Sequence, residues 1–191
     1  MPLYNFTLTL SGVTSATEGL EDALFESGCG DALVYFYGTS VYLEFDRDSD
    51  ALPVAVLTAI RDIESAGIGA RVESVDSLLV GLSDIADLAG LSRQAVALLK
   101  DGNRGPRNFP NPVQRLKGNS PLWNWDTVAD WLVQHGRLAE DDPRVACARP
   151  LAEINLALQL RASRNPERVK YYVRLLEHQD EIAGQALFNL P

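Results

Sequence analysis

The sequence predicts an α+β protein, and three observations predict it. Residues 3–11 alternate apolar and polar side chains, as a half-buried strand does. Two helical patterns and an aromatic hairpin then interleave with a further short strand. The remainder of the 191-residue chain is helical in pattern, with one basic, Gly/Pro-rich interruption.

In the first strand Tyr4, Phe6, Leu8 and Leu10 share one side, and Asn5, Thr7 and Thr9 the other. Ser15 and Glu18 stand at capping-box spacing before Leu20, Ala23 and Leu24, and Gly28 is placed to stop that helix. DALVYFYGTSVYLEFD reads as two β-rich runs about Gly38. EFDRDSD reads as a solvated loop leading into a helix cap. The second helix has Pro53 in its first turn, a face of Leu52, Val56, Ala59, Ile60 and Ile63, and Gly67 at its end. ARVESVD supplies a last short strand. The resulting order over residues 1–77, βαββαβ, is the ferredoxin-like arrangement.

LSDIADLAGLSRQAVALLKDG, Leu82 to Gly102, reads as two short helices on either side of Gly90. Ser83 is expected to cap the first, which carries Ile85, Ala86 and Ala89 inward. Gly90 supplies a left-handed turn, Leu91 plugs the core, and Ser92 caps the second helix, with Val96 and Leu99 inward. Arg93, Gln94, Ala97 and Lys100 then point out. Arginine and glutamine can each bond two atoms of a base edge, and lysine suits phosphate.

GRLAEDDPR, Gly136 to Arg144, reads as a linker, and residues 145–183 as a helical pair. The first of the pair carries Leu151, Ile154 and Leu158. The second starts at Asn165 and Pro166 and carries Val169, Val173 and Leu176. The tail from Gly184 reads as frayed.

The formal net charge of −9 argues against a simple polyanion binder, but it is unevenly spread. Residues 1–80 hold thirteen acids against three bases; residues 81–135 hold five against six; residues 136–191 hold eight of each. Ser92 to Lys117 contains six bases (Arg93, Lys100, Arg104, Arg107, Arg115, Lys117) and one acid, Asp101. The acidity therefore belongs to the N-terminal third, where a solvated face is the simplest reading.

Other chemistries lack residues. Cys29 and Cys147 are the two cysteines, His135 and His178 the two histidines, and neither pair has metal-ligand spacing. No nucleophile–base spacing, acid pair with a base or Gly-rich phosphate loop stands out, so no catalytic residue, metal or cofactor is expected. No apolar run approaches the roughly 20 residues of a membrane helix, and MPLYNFTLTLSG lacks a signal-peptide pattern. A cytoplasmic protein with free thiols is expected.

The stretch GLSRQAVALLKDGNRGPRNFPNPVQRLKGNSPLWNWDTVADWL resembles the AlpA-type and MerR-type winged helix-turn-helix regulators. Their pattern is a recognition helix, a glycine, Phe-Pro-x-Pro, a short β-wing, a tryptophan and a helix ending in Trp-Leu. Here these are Ser92 to Lys100, Gly102, Phe109 to Pro112, Trp123, and Asp126 to Leu132. The resemblance covers about residues 80–133 and implies a winged DNA-binding domain at 78–135. DGNRGPRN is longer and more basic than the family's usual link. Trp123 and Trp131 are expected in the core; Trp125 is left open between core and stacking surface.

The resulting expectation is a sequence-specific binder of double-stranded DNA, a bacterial or phage regulator of repressor or antitoxin type, acting as a homodimer. Its contacts would be Ser92, Arg93, Gln94, Ala97, Lys100, Asn103, Arg104, Arg107, Arg115 and Lys117. Two alternatives stand beside it: an adaptor that uses the acidic N-terminal domain as its main surface with the winged fold as a docking module, and a ligand sensor or enzyme built on the βαββαβ unit. The acidic domain could also hold a basic protein partner.

Overall fold

The computed structural model describes residues 1–76 and 79–178. Four strands, β1 (Leu3–Ser11), β2 (Ala32–Tyr37), β3 (Ser40–Asp48) and β4 (Arg71–Val75), form an antiparallel sheet in the order β2-β3-β1-β4. Two helices, α1 (Leu20–Glu26) and α2 (Leu52–Glu64), bury their apolar faces against one side of it. Alternation in β1 does what its sequence predicts. Phe6, Leu8 and Leu10 go into the core, with Phe6 opposite Phe45 and Leu8 opposite Leu43. The two phenylalanine rings stack at 5.3 Å. Each such fully buried side chain contributes about 1.5–3 kcal/mol by leaving water.

Two sequence expectations change here. α1 begins at Gly19, in the left-handed region (φ 68°), and no side chain caps it. Ser15 and Glu18 lie too early to serve, because residues 13–18 form a separate turn in which Thr14 N–H donates to Thr17 Oγ1 (2.9 Å). The segment EFDRDSD is not a solvated loop: Glu44 to Asp48 complete β3, paired with β1 as far as Leu3–Asp48. Alternation continues through the charges. Asp46 and Asp48 face outward, while Arg47 turns in and is only 8% exposed. There Arg47 bonds Asp31 (2.7 Å) and Asp62 (2.9 Å) and lies 4.9 Å from the Phe45 ring centroid. The hydrogen bonds that Arg47 donates to Asp31 raise the Arg47 pKa against the opposing effect of burial.

The second core follows β4. A two-residue strand β5 (Leu79–Val80) leads into α3 (Leu82–Ala89) and α4 (Arg93–Lys100); β6 (Trp123–Asn124) pairs antiparallel with β5 and runs into α5 (Trp125–Gln134). Ile85, Val96, Leu99, Trp123, Val128 and Leu132 close this core. All three tryptophans are buried, Trp125 among them at 7% exposure, which closes the question left open for it. The cap of α3 is not Ser83: Asp84 Oδ2 reaches back to the Gly81 N–H (2.7 Å).

The two cores share one helix. α6 (Pro143–Ala162) starts inside the expected linker and runs straight through Pro150. It contributes Ala148 to the second core and Leu158 to the first. Its start is fixed by a pair of charges. Asp142 caps it through Arg144 N–H (2.9 Å), and Arg144 Nη1 donates to Leu88 C=O (2.5 Å) near the end of α3. Arg144 holds the Asp142 carboxyl at about 2. Further along, the buried Asn155 serves as a substitute strand. Its Nδ2 donates to Val75 C=O (2.6 Å) and its Oδ1 accepts from Val75 N–H (3.0 Å).

The last described helix, α7 (Pro166–Glu177), is capped as its sequence predicts, with Asn165 Oδ1 accepting from Arg168 N–H (2.9 Å). It has no buried residue; Val169, Val173 and Leu176 are exposed instead of packed. The tail from Gly184 lies outside the described residues.

Candidate nucleic-acid interface

The turn at Gly90 is built by the backbone. Gly90 has φ 64° and ψ 31°; its N–H donates to Asp87 C=O (3.3 Å) and the Leu91 N–H to Ala86 C=O (2.8 Å). These two bonds are the Schellman termination of a helix, and they close α3 in a single residue. Ser92 Oγ then accepts from Ala95 N–H (3.1 Å) and opens α4. Three residues therefore separate two helices that pack through Ala86, Ala89, Val96 and Leu99. Leu91 is half-buried against the same core.

The outer side of α4 carries Arg93, Gln94 and Lys100, all exposed; Ala97 is half-buried between them. Lys100 pairs with Asp101. Leu98 is 37% exposed on this helix, an apolar position the sequence reading missed. Its spacing four residues after Gln94 is the signal that places it on the same side.

Each end of α4 meets a loop. At the start, Arg93 shares a cleft of about 220 Å³ with Ser83, Asp84 and the stretch from Asn119 to Leu122. That stretch is the returning limb of a hairpin: Val113 N–H donates to Leu122 C=O (2.7 Å), and Leu122 N–H to Gln114 C=O (3.0 Å). At the other end, Lys100, Asp101, Gly102, Asn103 and Arg107 line an open cleft of about 410 Å³. The loop is tied to the helix there, because Leu98 C=O accepts both the Asn103 N–H (2.9 Å) and the Arg104 N–H (3.0 Å).

The Phe-Pro motif anchors the other end of the same loop. Phe109 meets Trp131 edge-on (5.0 Å, 69°) and Trp123 likewise (6.4 Å, 71°). Trp123 Nε1 donates to Pro110 C=O and Trp131 Nε1 to Asn108 Oδ1, both at 2.9 Å. Both indole N–H groups are thus spent inside the fold, which suits them to core rather than stacking roles.

Asn103, Arg104, Arg107, Arg115 and Lys117 are exposed. The structure brings Asn103 and Arg107 beside Lys100, and Arg93 beside the hairpin's returning limb. It does not bring Arg115 or Lys117 against α4; they occupy the hairpin tip, where Gly118 N–H donates to Arg115 C=O (3.1 Å). Arg107 (φ 60°) and Arg115 (φ 56°) both adopt left-handed backbone, which side chains other than glycine, asparagine and aspartate rarely do.

Among the described residues no group of three His, Cys, Asp or Glu is arranged to hold a metal, and no helix is long and apolar enough to cross a membrane. Cys29 and Cys147 are free, and burial pushes both thiols up, away from the reactive thiolate. Comparison with family models, with curated proteins and with solved structures finds no match to this chain.

Proposed function

We propose that the chain is a sequence-specific binder of double-stranded DNA, a cytoplasmic regulator of repressor or antitoxin type working as a pair of identical copies. On this reading residues 1–77 are a ferredoxin-like module. Residues 78–135 are a winged helix-turn-helix with α4 in the major groove, and the hairpin from Val113 to Leu122 is the wing. Enzymatic chemistry has no part in it.

The observation that carries the reading is α4 itself. It is a short helix after a tight turn, with Arg93, Gln94 and Lys100 outward and a basic loop fastened to its end through Leu98 C=O. Arg93 and Gln94 have the donors and acceptors for base edges; Lys100, Arg104 and Arg107 suit phosphates. Asp84 and Asp101 lie in the two clefts and oppose the field of those bases. Binding would rest on contacts from these bases to phosphates, which release counterions, so it is expected to fall steeply with salt.

The test is selection from random duplex DNA at two salt concentrations. One motif is expected to dominate. Arg93→Ala and Gln94→Ala are each expected to cost about 1–3 kcal/mol on it, while Arg104→Ala weakens all sequences alike. Enrichment of no motif removes the reading. A second reading rests on a different surface, the uncovered sheet face with Glu44, Asp46 and Asp48, whose charge suits a basic protein. It predicts partner capture unaffected by Arg93→Ala.

A further inference from the structure

The two edges of the four-stranded sheet differ. The outer edge of β4 is occupied by side chains. Val72 N–H donates to Glu64 Oε1 (3.0 Å), Val72 C=O accepts from Arg161 Nη2 (2.7 Å), and Asn155 takes both groups of Val75. The outer edge of β2 has no hydrogen-bonded partner among the described residues, although Phe36 shares an open cleft with Ser15, Thr17 and the start of α1. Asp46 N–H donates to Asp31 C=O (3.0 Å), which sets the parity of the ladder with β3. Odd residues of β2 bond to β3. Val34 and Phe36 turn their N–H and C=O outward, where no described residue meets them.

Ala32 to Tyr37 contains no charge and no proline, the usual means of blunting an edge. Leu33 is 64% exposed, Phe36 44% and Tyr37 83%. Such an edge accepts one kind of occupant, another extended strand.

We propose that this edge joins two copies of the chain, β2 against β2 of the partner subunit, antiparallel, with Tyr35 opposite Tyr35 of the partner subunit. Pairing a strand with itself closes on a two-fold axis and leaves no edge open for a third copy. The register satisfies the outward groups: Val34 exchanges both backbone hydrogen bonds with Phe36 of the partner subunit. On the uncovered face Leu33 meets Tyr37 of the partner subunit. The stack of Tyr35 on Tyr42 (5.3 Å) continues across the axis. Within the paired strands no carboxylate faces another, because Asp31 falls opposite Thr39 of the partner subunit; Glu21 and Asp22 stand beside Phe36 but outside the strand. A neutral strand is what lets two acidic domains approach. The proposal deepens the preceding reading by naming the surface that pairs the DNA-binding units, and its test contains no DNA, so each can fail alone.

The experiment is sedimentation equilibrium of the full chain at micromolar concentration, with Val34→Pro and Tyr35→Cys. Proline removes an outward N–H and leaves the ladder to β3 intact. The wild-type chain is expected to be dimeric, and Val34→Pro to weaken the dimer at least about tenfold, from lost hydrogen bonds and edge fit. Tyr35→Cys is expected to form an intermolecular disulfide on air oxidation, since opposed residues at a non-hydrogen-bonded pair lie within disulfide reach. Thr9→Cys, on β1 away from the edge, is the control. A monomeric wild type, a dimer untouched by Val34→Pro in a folded variant, or cross-linking of Tyr35→Cys no faster than the control overturns the proposal. If Val34→Pro does not fold, the cross-linking comparison decides.

Discussion

Asp142 and Arg144 stand two residues apart and act on different helices. Asp142 caps α6; Arg144 bonds a carbonyl near the end of α3 and holds the Asp142 carboxyl at about 2. The sign of the pH effect follows. A carboxyl whose folded pKa lies below its ordinary value stabilises the fold above that value, and this stability is lost as pH falls through the folded pKa. The loss therefore develops between 3.8 and about 2. Asp142→Asn keeps the cap and removes the ion pair. Its stability, followed by urea denaturation against pH, is expected to lie below wild type at neutral pH and to converge with it near pH 2. A constant difference across that range would separate the pair from acid sensitivity.

At the scale of elements, glycines with the same backbone sign have different reasons to be glycine. At Gly90 (φ +64°) an added Cβ meets nothing within 4 Å, so only the left-handed conformation resists a side chain. At Gly12 (φ +78°) the same Cβ would stand 2.1 Å from Gly69 C=O, so the turn after β1 must open. Gly90→Ala is expected to cost about 1–2 kcal/mol, and Gly12→Ala clearly more, in parallel thermal melts.

The turn at Gly90 was legible because its requirements are local. A glycine, a plug and a serine cap sit within three residues, and the sheet strands were legible for the same reason of short period. Long-range terms hid the rest. The start of α1 is set by Gly19 and packing rather than by the capping pattern at Ser15 and Glu18. A proline inside a helix ordinarily breaks or kinks it, yet α6 continues through Pro150, with both flanks packed, Ala148 in one core and Leu158 in the other. Arg47 looks solvated in EFDRDSD, and only its distant partners Asp31 and Asp62 explain its burial. In α7 the apolar periodicity is present, but among the described residues nothing buries it, since periodicity records a face without saying what meets it. Among the site residues, outwardness on α4 was legible from helical period. The tie between Leu98 C=O and the basic loop was not, because any residue's carbonyl can make it.

For the whole molecule, α6 contributes to both cores, so the two are expected to unfold as one cooperative unit. Asn155→Ala leaves the N–H and C=O of Val75 buried without partners, at a cost of about 2–4 kcal/mol. For a chain of this size that is a drop in Tm of roughly 5–15 °C. The three tryptophans all lie in the second core, while Asn155 acts on the edge of the first. Tryptophan fluorescence and far-ultraviolet circular dichroism are expected to shift together. Movement of the dichroism midpoint alone would mean that the halves melt separately.

The left-handed arginines of the basic loop and hairpin tip put shape and charge in conflict. Arg107→Gly and Arg115→Gly are each expected to raise thermal stability by relieving the backbone, by about 0.5–1 kcal/mol; under the proposed function they are also expected to weaken DNA binding in gel-shift titration. A laboratory selection for heat resistance alone would then drift toward glycine at both sites, and its winners would be sturdier proteins that, if the proposed function holds, have a duller grip on nucleic acid.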